Sequence, residues 1–263
     1  CAIPLDFTQV ALHWQDSMEL VFVKKGRGIV QAGLTSYTAA AGDIYVFAPG
    51  VLHALRQLDN ERMEYENIIF DLGNVLVKLN SIGCMNAFKV LGMEKLLDSN
   101  PEAKRLMGEL GVGLISTEQF CDAARNLTLT PVSNHQIIEA ANRMLVVIPD
   151  EKKRRLLKLK AKGYRLFLLS NTIDIHWDYC VEKLFPYQGH NVEDYFEKVF
   201  LSQRLHLSKP DARIYEEVIR QAAIVPEESL FIDDLQENCV AAENLGIHTF
   251  QNVEFDDWLD LEL

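Results

Sequence analysis

Residues 67–76 read Asn67-Ile68-Ile69-Phe70-Asp71-Leu72-Gly73-Asn74-Val75-Leu76, and this stretch decides the fold of most of the chain. An apolar run that ends in an aspartate, followed at once by a glycine-containing turn, predicts a buried strand with Asp71 at its carboxyl end. Open α/β sheets bind their ligands at that end of the strands. Aspartate before a tight turn is also ordinary turn chemistry, so the motif needs support from elsewhere in the chain.

Three later segments provide that support. Residues 166–172 form a second apolar run that ends in Ser170, and residues 230–234 form a third that ends in two aspartates. Between them, Lys209 stands just before a predicted helix start. Because neighbouring parallel strands end at the same edge of a sheet, we expect these polar groups to meet there.

The succession Asp71, Ser170, Lys209 and Asp233-Asp234 resembles the four motifs of the haloacid dehalogenase (HAD) hydrolase superfamily over residues 64–263. Within it, the sequence most resembles the sugar-phosphatase branch near α-glucose-1-phosphate phosphatase. The resemblance implies an α/β fold, a Rossmann-like parallel sheet with a small helical cap. It also implies a Mg²⁺-dependent enzyme that hydrolyses small phosphorylated metabolites.

Strand ends are predicted at Phe70, Leu169, Leu201, Asp233 and Phe250, with helices between them. The mostly helical residues between the first two strands resemble the HAD cap, which we place at about 80–148. Helices are expected at 116–125 and 133–146 within the cap, and 111–113 reads as a turn between helices.

Residues 150–163 predict the clearest helix, with Asp150 as its N-cap and Gly163 as its stop. Its basic run at 152–155 is interpreted as a solvated helix face rather than a nucleic-acid site.

The resemblance also implies a role for each motif residue. Asp71 is the expected nucleophile and forms an aspartyl-phosphate. Ser170, together with the Asn171 amide, is expected to hold the phosphoryl oxygens, and Lys209 to neutralise both Asp71 and the phosphate.

Two anions repel each other, so a divalent cation is expected between nucleophile and substrate. The resemblance assigns Mg²⁺ to Asp71, the backbone carbonyl of Gly73 and Asp234. Asp233 is either a further ligand or a support for one. Asn238 stands where many relatives carry another carboxylate.

One position departs from many HAD phosphatases, which carry an acid–base aspartate two residues after the nucleophile. Here that position is Gly73. A positioned acid–base contributes about 10²–10⁴ in rate. The protein is therefore inactive, or uses another acid–base such as Asp174 or His176, or acts on good leaving groups such as anomeric sugar phosphates. Sugar-1-phosphate phosphatases share the Asp-Leu-Gly-Asn pattern, which favours the third meaning.

Residues 1–63 have a different character. His13, Glu19, Gly26 and the turn at 49–53, which ends in His53, resemble part of the cupin barrel of AraC-type regulators. We expect a partial all-β cupin-like segment, whose histidines line a barrel or a small pocket rather than bind metal. A half-barrel exposes strand edges, which favours a truncated or artificially joined fragment over an evolved two-domain sensor.

Composition excludes several function classes. The chain has 263 residues, 48% of them hydrophobic, and a net charge of −12. This charge argues against nucleic acid as a partner, because binding to phosphate backbones needs a basic surface. No apolar run is long enough for a membrane span. Five cysteines without a paired spacing, and no visible signal peptide, favour the cytoplasm, although the chain begins at Cys1 and an earlier start could be missing.

Two other functions compete with the phosphatase. A haloacid dehalogenase also uses an aspartate nucleophile but needs no metal, so Asp233-Asp234 argues against it. An inactive HAD scaffold with a ligand-sensing cupin segment is the second alternative. A phosphomutase would need the acid–base that Gly73 lacks.

Overall fold

The computed structural model describes residues 9–14, 16–23, 27–40, 42–57, 65–97, 100–129 and 131–263. The chain divides into two compact units, residues 1–64 and residues 65–263. Among the described residues, none of the helices has both the length and the apolar character needed to cross a membrane.

The first unit is built from antiparallel strands: β1 Gln9–His13, β2 Glu19–Phe22, β3 Arg27–Ala32, β4 Thr35–Ala40, β5 Ile44–Phe47 and β6 His53–Gln57. Four of them form a sheet in the order β1-β6-β3-β4, and β2 pairs with β5. A small core of Val30, Ala39 and Phe47 holds the unit together. The predicted all-β segment is confirmed.

His53 is buried in this first unit and stacks on the ring of Phe47. Its Nε2 lies 3.0 Å from Glu19 Oε2, and its Nδ1 lies 2.8 Å from the carbonyl oxygen of Val51. These contacts place His53 in the packed interior of the segment. Gly26 and the side chain of His13, which belong to the same sequence prediction, lie outside the described residues.

The second unit is an α/β fold around a five-stranded parallel sheet in the order β11-β10-β7-β12-β13. Its strands are β7 Asn67–Phe70, β10 Arg165–Ser170, β11 Lys198–Leu201, β12 Ser229–Asp233 and β13 His248–Gln251. Strand β7 lies at the centre and is fully buried. Ile68 and Phe70 pack into the core on one face and Ile69 into the core on the other, which explains the uninterrupted apolar run.

The strand register decides where the site forms. Phe70 pairs with Leu168 of β10 and with Ile232 of β12. The polar residues that follow these positions, among them Asp71 and Asp233, therefore lie side by side at the carboxyl edge of the sheet.

The helices of the second unit comprise the insertion helices α1 Ser81–Val90, α2 Pro101–Gly111, α3 Thr117–Thr128 and α4 Asn134–Asn142, followed by α5 Asp150–Ala161, α6 Asp174–Tyr179, α7 Val192–Tyr195, α8 Ser202–Leu205, α9 Ala212–Ala222 and α10 Gln236–Glu243. Helices α1 to α4 lie between β7 and β10 in the sequence and share a hydrophobic core, to which Ile173 and Ile175 at the start of α6 also contribute. Ser116 and Ser133 cap α3 and α4 with complete capping boxes.

The end of the insertion differs from the sequence prediction. The helix expected at 133–146 stops at Asn142, and the chain continues as strand β9, Leu145–Val147. This strand pairs antiparallel with β8, Lys78–Leu79. A run of branched apolar residues favours strand over helix once a partner strand is available.

Helix α5 also departs from expectation. Pro149 occupies its N-cap position and Asp150 is the first helical residue, where a carboxylate complements the helix dipole without capping it. The solvated-face interpretation is wrong for Lys152 and Lys153, because both side chains are buried. The ammonium of Lys152 donates to the carbonyl of Val75 at 2.6 Å and lies 3.3 Å from Asp256 Oδ1, and these contacts compensate the buried charge.

Candidate active site

Lys209 is the centre of the site and is buried at the carboxyl edge of the sheet. Its Nζ donates to Asp71 Oδ1 at 2.6 Å, to Asp233 Oδ2 at 2.7 Å and to the carbonyl oxygen of Leu169 at 3.0 Å. These three acceptors match the three hydrogens of an ammonium group. Burial alone would lower the pKa of Lys209, but the two adjacent carboxylates outweigh it and raise the pKa above its ordinary value.

Asn171 fixes the position of Lys209 along the chain. Its side-chain amide donates to the Lys209 carbonyl oxygen at 2.9 Å and accepts from the Lys209 N–H at 2.9 Å. The Asn171 side chain is therefore committed to orienting Lys209, and a direct contact between Asn171 and a phosphate stays a prediction.

Asp71 is 7% exposed, and its Oδ1 accepts a hydrogen bond from the Lys209 ammonium. Burial raises its pKa to about 6; Lys209 opposes this rise and the neighbouring Asp233 adds to it. The result is an anion held in a site largely closed to water, next to the compensating ammonium of Lys209.

Asp233 is fully buried and both of its oxygens are used. Oδ2 accepts from Lys209, and Oδ1 accepts from the Leu235 N–H and from the Asn238 amide, both at 2.9 Å. Of the two roles open to Asp233 in the sequence, this geometry favours the support: the carboxylate holds Lys209 and the turn after β12.

Asp234, the next residue, is half-buried, and burial raises its pKa. Its Oδ2 accepts a hydrogen bond from the Asn74 amide at 3.1 Å. Asn74 belongs to the β7 loop, which we define as residues 71–77, and has a positive φ of 51°. The carboxylate of Asp234 is thereby tied to the loop that carries Asp71.

The β7 loop is a closed turn. The N–H groups of Leu76 and Val77 both donate to the Leu72 carbonyl oxygen, at 2.9 and 2.8 Å. A Cβ added to Gly73 would lie 3.1 Å from Leu79 Cδ1 and 3.8 Å from Asp71 Oδ2. Gly73 therefore lies directly beside the carboxylate of Asp71.

The donor set fits a hard divalent cation. Asp71, Asp234 and the Gly73 carbonyl present oxygen atoms, and Mg²⁺ is typically bound by one or two carboxylates together with waters and substrate oxygens. Among the described residues, no group of three or more histidine, cysteine or acidic side chains could hold a metal ion. A cation here would consequently draw much of its coordination from water and substrate.

Ser170 is buried at the end of β10, within one residue of the carbonyl that Lys209 contacts. The structure thus brings Asp71, Ser170, Lys209 and the Asp233-Asp234 pair to one sheet edge.

Asp174 and His176, the alternative acid–base residues, contact neighbouring elements instead. His176 Nε2 donates to the Ala141 carbonyl oxygen at 3.1 Å, and burial lowers the pKa of His176. Asp174 accepts from the Gln203 amide at 3.2 Å. Both contacts join α6 to surrounding helices, which does not favour an acid–base role.

Sequence reasoning missed Asn74 and Asn252. The Asn252 amide donates to the Asn74 carbonyl oxygen at 3.0 Å, although the two residues are far apart in sequence. A signal was present for Asn74, which lies in the loop after the apolar strand β7. Asn252 follows β13, which reads His-Thr-Phe-Gln and gives no such signal.

The haloacid dehalogenase-like hydrolase family matches residues 68–251, which is more than half of the chain, and the chain belongs to this family. The cupin domain family matches residues 7–70. The predicted HAD fold and the cupin resemblance are confirmed at that level, while the AraC type is not distinguished.

The relatives of the second unit include phosphatases. D-ribitol-5-phosphate phosphatase of Bacteroides thetaiotaomicron is 29% identical over 196 residues, 73% of this chain and 94% of that protein. The crystal structure of a HAD family enzyme from the same organism is 38% identical, has a TM-score of 0.70, and is matched over 72% of this chain and 93% of that chain.

That enzyme has also been crystallised in complex with magnesium and inorganic phosphate, with 39% identity, a TM-score of 0.67, and coverage of 71% of this chain and 93% of that chain. The D-ribitol-5-phosphate phosphatase is named for a polyol 5-phosphate, whereas the sequence resemblance pointed to glucose 1-phosphate.

Proposed function

We propose that this chain is a Mg²⁺-dependent phosphatase of small sugar or polyol phosphates that works through an aspartyl-phosphate on Asp71. The observation that carries the proposal is the buried ammonium of Lys209, which contacts Asp71 and Asp233 at one sheet edge. The magnesium and phosphate complex of a relative supports the same chemistry.

In the proposed reaction, an oxygen of Asp71 attacks the phosphorus, and the bond from phosphorus to the sugar oxygen breaks. Lys209 neutralises charge on Asp71 and on the transferring phosphoryl group, and Ser170 donates to a phosphoryl oxygen. Asp71, the Gly73 carbonyl and Asp234 would hold Mg²⁺, which when bound supplies further compensation of negative charge. Water then cleaves the aspartyl-phosphate, releasing inorganic phosphate and restoring the carboxylate.

Gly73 supports a finer proposal about the substrate. With no carboxylate at this position, the leaving oxygen departs with little protonation, so acidic leaving groups are favoured. We propose that anomeric sugar phosphates are hydrolysed faster than esters of primary alcohols. The name of the ribitol-5-phosphate relative supports the opposite order, so both classes of ester belong in the same assay.

The N-terminal unit supplies none of the four motifs, and we propose that it takes no part in hydrolysis.

The four cysteines that the structure describes are unpaired and buried, which supports a reducing, cytoplasmic setting for the enzyme.

A phosphatase assay over a panel of metabolites, with and without Mg²⁺, tests the proposal. Release of inorganic phosphate that requires Mg²⁺ and is lost in Asp71→Asn supports it. Turnover of a 2-haloacid without metal would favour the dehalogenase. No hydrolysis of any ester by folded protein with Mg²⁺ present would favour the inactive scaffold.

A further inference from the structure

Helix α5 and a segment near the carboxyl end of the chain both contact the β7 loop. Three buried side chains donate hydrogen bonds to carbonyl groups of that loop: Lys152 from α5, Asn252 directly after β13, and Trp258. We call these three residues the clasp. None of them belongs to the motifs that the reaction uses.

Two members of the clasp share one acceptor. The Val75 carbonyl oxygen accepts from Lys152 Nζ at 2.6 Å and from Trp258 Nε1 at 2.9 Å. Lys152 also donates to the carbonyl oxygen of Phe255. A buried carbonyl with two donors, one of them charged, is held firmly, because both hydrogen bonds to it would be lost if the loop moved.

Asn252 holds the adjacent peptide. It is fully buried, and its amide donates to the Asn74 carbonyl oxygen at 3.0 Å. Its own position is fixed on two sides: its N–H donates to the Asp233 carbonyl oxygen at 2.8 Å, and its side-chain oxygen accepts from the Trp258 N–H at 3.0 Å. Asn252 therefore fixes the backbone of Asn74 relative to the end of β12.

Asn74, which the clasp restrains, donates a hydrogen bond to the carboxylate of Asp234. Asn74 has a left-handed backbone with φ 51°, and its exposed amide donates to Asp234 Oδ2 at 3.1 Å. We propose that Asn74 is a positioning residue that orients Asp234 for Mg²⁺, and that the clasp fixes Asn74 for this task. This inference rests on the proposed function, because Asp234 matters only if it binds the cation.

Asn74→Gly is the sharpest test. Glycine adopts the positive φ without strain, so the loop is retained while the amide is lost. Groups that orient metal ligands typically contribute 10- to 100-fold in metal affinity. We expect the Mg²⁺ Kd from calorimetry, measured without substrate, to rise by about 10-fold. Since the ligands remain, kcat at saturating Mg²⁺ should return to within about 3-fold of wild type.

Asn252→Asp tests the clasp itself. The carboxylate keeps the acceptor for the Trp258 N–H but faces the Asn74 carbonyl oxygen without a donor. The Mg²⁺ Kd should rise as in Asn74→Gly. Arg155→Met is the matched control, because Arg155 anchors the same carboxyl-terminal region through the Leu261 carbonyl oxygen at 2.6 Å. That variant should lower the melting temperature without changing the Mg²⁺ Kd.

The possible outcomes distinguish a failure of the proposed function from a failure of the positioning role of Asn74 and the clasp. A wild-type protein that binds no Mg²⁺ contradicts the proposed function. A wild-type protein that binds Mg²⁺, together with an unchanged Kd in folded Asn74→Gly, overturns the positioning role. An Mg²⁺ Kd in Arg155→Met that rises as much as in Asn252→Asp would reduce the clasp to general stability and would also overturn its assigned role.

Discussion

Lys209 and Asp71, 138 residues apart in sequence, form a buried ion pair with 2.6 Å between Nζ and Oδ1. The same ammonium contacts Asp233, so one cation compensates two carboxylates. Removing a single member of such a group leaves charge without compensation in the interior. The pair therefore connects the chemistry of the site to the stability of the second unit.

Asp71→Asn should abolish hydrolysis while the fold is retained, because the change removes the attacking charge but keeps the shape. Loss of a nucleophile typically lowers kcat by roughly three to six orders of magnitude. Phosphate release checks the rate, and circular dichroism checks the fold. Activity close to wild type in the purified variant would rule out the aspartyl-phosphate.

Lys209→Met should destabilise the protein by about 3–5 kcal/mol at neutral pH, since Asp71 and Asp233 lose their countercharge. Burial raises the pKa of Asp71, and in this variant Lys209 no longer opposes the rise, so the native state holds a proton that the unfolded state has released. The free energy of unfolding of the variant should therefore fall as pH rises above about 4. Chemical denaturation at pH 5 and pH 7.5 measures this free energy. If Lys209→Met is less stable than wild type by the same amount at both pH values, the prediction is wrong.

Lys152 predicts a different pH dependence of stability. Burial lowers its pKa from 10.5 to about 8. Between these values the native state has lost the proton that the unfolded state still binds, so stability should rise with pH by up to roughly 3 kcal/mol. Lys152→Met should remove this rise. The difference between the two denaturation profiles isolates Lys152 from other titrating groups, and parallel profiles would show that its ammonium is not perturbed.

Substrate choice should follow leaving-group acidity. Glucose 1-phosphate should exceed glucose 6-phosphate and ribitol 5-phosphate in kcat/KM, because Gly73 provides no acid. Equal or reversed values would show that another residue protonates the leaving group.

Gly73→Asp is the companion variant. Its Cβ requires Leu79 to move by a few tenths of an ångström, a small adjustment for a side-chain methyl group. If the new carboxylate acts as the acid, the ratio of kcat/KM for glucose 1-phosphate to kcat/KM for glucose 6-phosphate should fall by about 10-fold or more.

A shortened chain that begins at Met63 should stay folded and active. It keeps Glu66, whose N–H donates to the Glu228 carbonyl oxygen at 2.9 Å, and the whole of β7. Its kcat/KM should lie within about 2-fold of the full chain. A folded product with weakened substrate binding would assign residues 1–62 to the site.

Much of the site could be predicted from sequence because its residues follow apolar strands. A strand that is buried on both faces appears in the sequence as a continuous run of apolar residues. The first polar residue after that run marks the functional edge of a parallel sheet. Asp71, Ser170 and Asp233 all follow this rule. Family membership was readable for the same reason, because four such motifs in one order are rarely coincidental.

The burial of Lys152 was not readable from the sequence. A run of four basic residues in a helix normally faces water, and nothing local indicates that two of them are covered. Its environment is set by the Val75 carbonyl and by residues near 255, more than 70 positions away in either direction. Whether a buried ammonium is tolerated depends on acceptors that only the folded chain brings together.

The sequence by itself determined the strands of the parallel sheet, the sheet edge and the residues capable of the chemistry, since the burial of these strands is recorded in neighbouring residues. Only the tertiary structure decided how Asp233 and Asp234 divide their tasks, with the first holding Lys209 and the second tied to Asn74. Adjacent aspartates are equivalent in a sequence. Strand alternation and the hydrogen-bond donors that approach from distant segments make them different.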